Sequence, residues 1–352
     1  MQKIKAFCAR KDVKPSAKTY FVDAMGSMAL GLFATLLIGT ILETLGEYTH
    51  WALLTEIAGY AKGCTGAALG VAIAHRLKAP PLVLLSAAVA GMMGNGVGAT
   101  FVLGGVEKSL TAGPAGAFIV CIIAVEIGKL VSKETPVDIL VTPVTTILSG
   151  ALVAKLLCPA IAYGMYWVGY FVNTATEMEP LLMGVLVSVV VGIILTLPIS
   201  SAAICAMIGI SGLAGGAAAA GCCAQMVGFA VISFRENKWG GVVAQGLGTS
   251  MLQMGNIVKN PLIWIPATLA SAITGPISTC LFKLECTGVS AGMGTCGIVG
   301  PLGVFSDMGF NATSIVGVLL VCIVLPAILS LVFSEIMRKL GWIKYGDMKL
   351  DL

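Results

Sequence analysis

Hydrophobic positions fall in long unbroken runs. Stretches 24–45, 81–103, 115–131, 181–197, 263–282 and 314–336 are each close to the roughly 20 apolar residues that a helix needs to cross a bilayer core. None alternates apolar and polar positions, as barrel strands do over about ten residues. The pattern predicts an all-α polytopic membrane protein. Two segments fit a single straight crossing poorly: 201–234 is too long and glycine-rich, and 138–172 has room for a crossing plus an interfacial helix.

The polar positions between the runs orient them. Lys3, Lys5, Arg10, Lys11, Lys14 and Lys18 stand against one acid before the first run, which places that end in the cytoplasm of a cell membrane. The run that follows is longer than a signal core and lacks a small-residue cleavage site, so it is expected to remain as a span. "AHRLKAPP" is basic, whereas "LETLGEYTHW" and "NTATEMEPLL" are acidic. Arg338, Lys339, Lys344 and Lys349 put the other end inside as well. Two inside ends require an even number of crossings.

Composition sharpens this reading. Of 352 residues, 57% are hydrophobic and 11% charged, against about 25% charged in a soluble domain. The net charge of +4 sits in the two tails, which suits an anionic leaflet better than nucleic acid. Cysteines such as Cys121, Cys205, Cys280 and Cys322 lie inside apolar runs, where thiols pack as small hydrophobes. No paired C-x-x-C with a His partner predicts a metal site, and no cofactor is expected. There is no G-x-x-x-x-G-K-[ST] for ATP, no HExxH and no Ser/His/Asp set, so catalytic residues are not predicted.

The chain also resembles itself. "LGLFATLLIGTIL" (30–42) matches "MGVLVSVVVGIIL" (183–195), with Gly39 on Gly192. Gly63-Cys64 then pairs with Gly221-Cys222, Met93-Gly94-Asn95 with Met254-Gly255-Asn256, Gly113-Pro114 with Gly275-Pro276, Pro143 with Pro301, and "CPAI" at Cys158 with "LPAI" at Leu325. The order is kept and the separation drifts slowly. This predicts about ten transmembrane helices as two inverted five-helix repeats, 20–175 and 176–337, flanked by tails 1–19 and 338–352; an odd count per repeat flips the second copy. Chance resemblance between glycine-rich helices is the alternative.

Glycines are crowded at Gly91, Gly94, Gly96, Gly98, Gly104 and Gly105, and again at Gly288, Gly292, Gly294, Gly297, Gly300 and Gly303 around Pro301. Such density costs too much helix propensity for a plain crossing. Broken or re-entrant helices are expected there, with their freed backbone in protein or a wet cavity. Asn95 and Asn256 should face the interior, because an unpartnered amide in hydrocarbon costs about 2–7 kcal/mol. They either join helices or line a midplane pocket whose amides bind hydroxyls. Glu285 and Thr295, at and inside the second glycine-rich stretch, are further substrate-binding candidates; an ion pair with Lys283 is the alternative for Glu285. Glu126 and Lys129 share a helix face and should pair. The "SFRENKWGG" loop with Arg235 falls outside in the inverted scheme.

"GNGVGATFVLGG", "NPLIWIPATLASAITGP" and "AGMGTCGIVGPLG" resemble the membrane-embedded IIC subunit of the phosphotransferase system for sugars, in the type-2-like branch with perfringolysin-regulator-type membrane proteins. The resemblance implies a homodimeric permease that moves a sugar by alternating access, with separate IIA and IIB proteins supplying phosphoryl transfer. It transfers no sugar contact, since the chain has no Gly-Ile-x-Glu loop, and His50 and His75 are not expected to carry phosphate. A second reading keeps the fold as a membrane sensor that detects a solute without obligate transport.

Overall fold

The chain, seen here as a computed structural model, is described at residues 7, 10–13, 16, 19–103 and 106–350. Lys3, Lys5, Lys14, Lys18, Gly104 and Gly105 lie outside these. Helices dominate, as the apolar runs require: α1 (Thr19–Thr49), α2 (Ala52–Gly63), α3 (Thr65–Arg76), α4 (Pro81–Gly96), strands β1 (Gly98–Leu103) and β2 (Val106–Thr111), α5 (Gly113–Val131) and α6 (Asp138–Ala175). There follow α7 (Pro180–Thr196), α8 (Ser201–Ile208), α9 (Gly212–Ile232), α10 (Phe234–Val243), α11 (Met254–Lys259), α12 (Pro261–Phe282), α13 (Gly288–Ala291), α14 (Val299–Met308) and α15 (Ala312–Lys339). Among the described residues six helices, α1, α5, α6, α9, α12 and α15, are long and apolar enough to cross a membrane. The pair α2 and α3, bent by 46°, makes a seventh if it is one span.

Both long segments that the sequence singled out are settled by backbone geometry. The stretch 201–234 breaks at Gly209, which takes a left-handed φ of +67° and divides α8 from α9. The stretch from 138 forms one helix of 38 residues despite Pro143 and Pro159. The second glycine-rich stretch is broken as expected, with left-handed backbone at Gly294, Gly297 and Ile298 between α13 and α14.

The chain forms two compact units: Met1–Gly39 with Gly59–Gly164, and Thr40–Ala58 with Met165–Leu352. In the first unit, α3 and α4 approach backbone to backbone. A Cβ on Gly70 would lie 2.0 Å from the Ala87 carbonyl oxygen, so only glycine fits. The first glycine-rich stretch stays helical through Gly96 and then forms an antiparallel β-ribbon, with Gly98 opposite Thr111 and Phe101 opposite Lys108. Phe101 and Leu110 share the buried face, and Phe101 meets the Tyr163 ring edge-on at 5.0 Å. Neither "GATFVL" nor "VEKSLT" alternates apolar and polar positions strictly, so the period-two signal of a strand is weak here.

The N-terminal segment is tied to this unit by charge. Arg10 and Lys11 pair with Glu134 at 2.7 and 2.5 Å, and Lys11 also donates to the Ser132 carbonyl. The Lys11 hydrogen bond, aided by the charges of Arg10 and Lys11, holds the Glu134 carboxyl below its ordinary value. Lys129 is buried, and its ammonium donates to the carbonyls of Asp12 (2.9 Å) and Leu77 (3.0 Å) while pairing with Glu126 at 3.3 Å. The expected Glu126–Lys129 pair therefore forms, and it gathers the segment before α1 and the "AHRLKAPP" connection at one end of the unit.

Candidate functional site

Glutamine carries the polar chemistry of the second unit. Gln225 lies in the middle of α9, a helix almost wholly buried, and its side chain is fully buried. The surrounding helices come close enough for short side chains to reach it. A Cβ on Gly221 would lie 1.9 Å from the Ser188 oxygen of α7, and one on Gly275 of α12 would lie 2.1 Å from the Gly184 oxygen. Ser188 donates to the Ser271 carbonyl at 2.8 Å across the same seam. With α7, α9 and α12 in contact, Gln225 Oε1 accepts from Trp264 Nε1 (3.1 Å) and Thr196 Oγ1 (3.4 Å), and Nε2 donates to Thr268 Oγ1 (3.2 Å). Thr196 also shares a hydrogen bond of 2.8 Å with Ser250. Gln225 and Ser250 are fully buried, while Trp264 and Thr268 are half-buried.

A second amide network begins one turn away. Ser250–Gln253 is a single 3-10 turn, capped by the Thr249 hydroxyl. Gln253 Nε2 donates to Gln245 Oε1 (2.9 Å), and Gln245 Nε2 donates to Ser233 Oγ (2.8 Å). Asn256 Nδ2 donates to Gln253 Oε1 at 2.9 Å and to the Lys349 carbonyl at 2.8 Å. Buried amides are affordable only when so satisfied, since an orphaned one costs about 1–3 kcal/mol.

Of the four side chains named from the sequence, Asn256 and Thr295 attach to the same stretch of chain. Thr295 is buried and donates to the Gly246 carbonyl at 2.5 Å, next to Gln245. Glu285 is exposed and lies at the level of Gly216, nine residues or about 13 Å along α9 from Gln225. It is not brought to the cluster. Asn95 is half-buried at the end of α4 in the other unit, and among the described residues its amide makes no hydrogen bond. Reading for asparagines missed Gln225, Gln245 and Gln253, although the same argument from desolvation applied to glutamines in "GCCAQMVGFA" and "QGLGTSMLQMGN".

The "SFRENKWGG" loop needs a correction. The inverted scheme put it outside and the C-terminal segment inside, but the two are bound together. Arg338 pairs with Glu236 at 2.9 Å and donates to the Ile232 carbonyl, Arg235 pairs with Glu335 at 3.0 Å, and Asn237 Nδ2 donates to the Met348 carbonyl at 2.8 Å. Within 201–234 only α9 is long enough to cross about 30 Å of hydrocarbon, since the eight residues of α8 rise about 12 Å.

Eight of the ten described cysteines are buried, where the thiol packs as a small hydrophobe.

No curated protein matches the chain. Among solved structures it is similar to the transporter ChbC, the IIC component from the N,N'-diacetylchitobiose-specific phosphotransferase system, with 14% identity over 97% of this chain and 98% of that one and a TM-score of 0.29. The family described as "Phosphotransferase system, EIIC" matches residues 22–350. The chain, with its membrane-length helices, thus belongs to the EIIC family of the phosphotransferase system, a sugar permease component of the cell membrane.

Proposed function

We propose that this protein carries a sugar across the membrane by alternating access and that the Gln225 cluster holds it. The observation that carries this reading is a fully buried glutamine, mid-span, bonded to an indole and hydroxyls. An amide offers a donor and an acceptor together, the pair that neighbouring sugar hydroxyls require, and a half-buried indole supplies an apolar face for the ring. Thr196, Thr268 and the Trp264 N–H bond Gln225 now; an arriving sugar exchanges its hydroxyls for theirs. Asn256 and Thr295 are further proposed contacts through their link to the 244–256 stretch, whereas Glu285 and Asn95 are not part of this cluster.

In this reading the permease is a homodimer with both termini cytoplasmic. Ten alternating crossings in two inverted repeats, 20–175 and 176–337, would put α10 and the C-terminal segment on opposite faces, so the pairing of these two argues for a different count in the second half. Separate IIA and IIB proteins bring the phosphoryl group to the face that carries α10 and the C-terminal segment.

Titration of the purified protein with a panel of mono- and disaccharides tests the site, followed by Trp fluorescence. Gln225→Leu should weaken binding at least about tenfold, the equivalent of one lost hydrogen bond. Binding of wild-type strength in Gln225→Leu rules the cluster out.

A further inference from the structure

The segment after α15 is held unlike any other part of the chain. Its residues 342–350 are fixed to the unit through side chains that reach out to its backbone. Asn260 Nδ2 donates to the Trp342 carbonyl (3.1 Å) and to Asp347 (2.8 Å); Asn237 and Gln253 both donate to the Met348 carbonyl, at 2.8 and 2.9 Å; Asn256 donates to the Lys349 carbonyl. Asn237 Oδ1 accepts from the Leu350 N–H at 2.8 Å, and Glu236 accepts from the Gly346 N–H at 3.4 Å. Ile343 and Met348 are buried beneath it. Four side-chain amides read a backbone here as a binding site reads a peptide.

The hold reaches further. Gln253 ends the 3-10 turn that Ser250 begins, and Ser250 bonds Thr196, which bonds Gln225. One rigid turn therefore has the C-terminal segment on one side and the Gln225 cluster on the other.

We infer that residues 342–350 form a releasable strap that, while docked on Asn237, Gln253, Asn256 and Asn260, locks the Ser250–Gln253 turn and keeps the Gln225 cluster closed to its solute. The inference rests on the proposed sugar site at Gln225. With the strap docked, every amide in the ladder is occupied by protein, and Thr196 is held on Gln225 by Ser250. Release frees the turn to move, and Thr196 gives up its place to a hydroxyl of the solute. The polar attachments are hydrogen bonds to amides and to the carboxylates of Glu236 and Asp347, and the apolar hold is two side chains, Ile343 and Met348, so the strap can open without unfolding the helices beneath.

The test uses the full chain in two released forms. Met348→Asp removes the buried anchor; Asn237→Ala removes only two hydrogen bonds and guards against a variant that fails to fold. Hydrogen–deuterium exchange should rise about tenfold or more, both in 342–350 and in 249–257, with the first unit unchanged. Faster exchange confined to 342–350, or a strap that stays protected in both variants, overturns the lock. In the sugar titration both variants should bind about three- to tenfold more tightly than wild type. Unchanged or weaker binding in the variants overturns the regulatory role. If no sugar binds any form, the Gln225 site itself fails, and the lock is still judged by the exchange of 249–257.

Discussion

The tripeptide Met-Gly-Asn occurs twice and is folded in two ways. At 93–95 it ends a 16-residue helix, and Asn95 is left half-buried without a hydrogen bond among the described residues. At 254–256 it opens a six-residue helix behind a 3-10 turn, and Asn256 is buried and bonded to Gln253 and the Lys349 carbonyl. The neighbours explain the contrast. Gly94 of the first copy is pressed on the Ala117 backbone, so that copy serves helix packing, whereas the second copy faces the strap. The same three residues thus contribute a packing seam in one unit and a hydrogen-bonding ladder in the other.

Substitution should expose this difference. Asn256→Leu takes the donor from buried Gln253 Oε1 and from the part-buried Lys349 carbonyl, and is expected to cost about 1–3 kcal/mol, chiefly from the orphaned Gln253 oxygen. Asn95→Leu should stay within about 0.5 kcal/mol, as a change away from any such feature does. Thermal unfolding in detergent measures both, and equal losses would erase the distinction. Asn237→Ala, one step further along the ladder, loses two bonds to the strap and should cost about 1–2 kcal/mol. Limited proteolysis should then cut within 342–350 ahead of any other described loop, and an uncut strap would count against the ladder as its anchor.

The mildest effect concerns the other terminus, which is held by ions where the strap is held by amides. The Glu134 carboxyl lies below its ordinary value because Lys11 and Arg10 bond it. Its contribution is full above the ordinary glutamate value and is lost as pH falls through the lowered one. Exchange protection of residues 10–12 should therefore hold at neutral pH and fade in acid, while α9 keeps its protection over the same range. Loss of both together would show a general acid unfolding.

The positions where the chain breaks were legible in advance. Glycine density marked 91–105 and 288–303, and the structure interrupts its helices at Gly96 and between α13 and α14. Gly209 divides the overlong 201–234 segment for the same reason, since a left-handed residue ends a helix cheaply only at glycine. The ribbon was hidden because neither of its strands alternates cleanly and the first is the tail of a long apolar run. The Gln225 cluster was hidden because its members, Thr196, Gln225, Ser250, Trp264 and Thr268, come from separate segments, none of which is unusual alone.

The sequence by itself determined that the chain lives in a membrane, that most cysteines are buried in apolar segments, where helices must stop, and the family to which it belongs. These follow from local quantities: the apolar length needed to cross hydrocarbon and the backbone freedom of single residues. Tertiary structure alone decided that α10 and the C-terminal segment share a face, and that Gln253 meets Met348 across 95 positions of chain. A buried amide must find a partner, but desolvation fixes only that need; helix packing at glycine seams selects which partner is within reach.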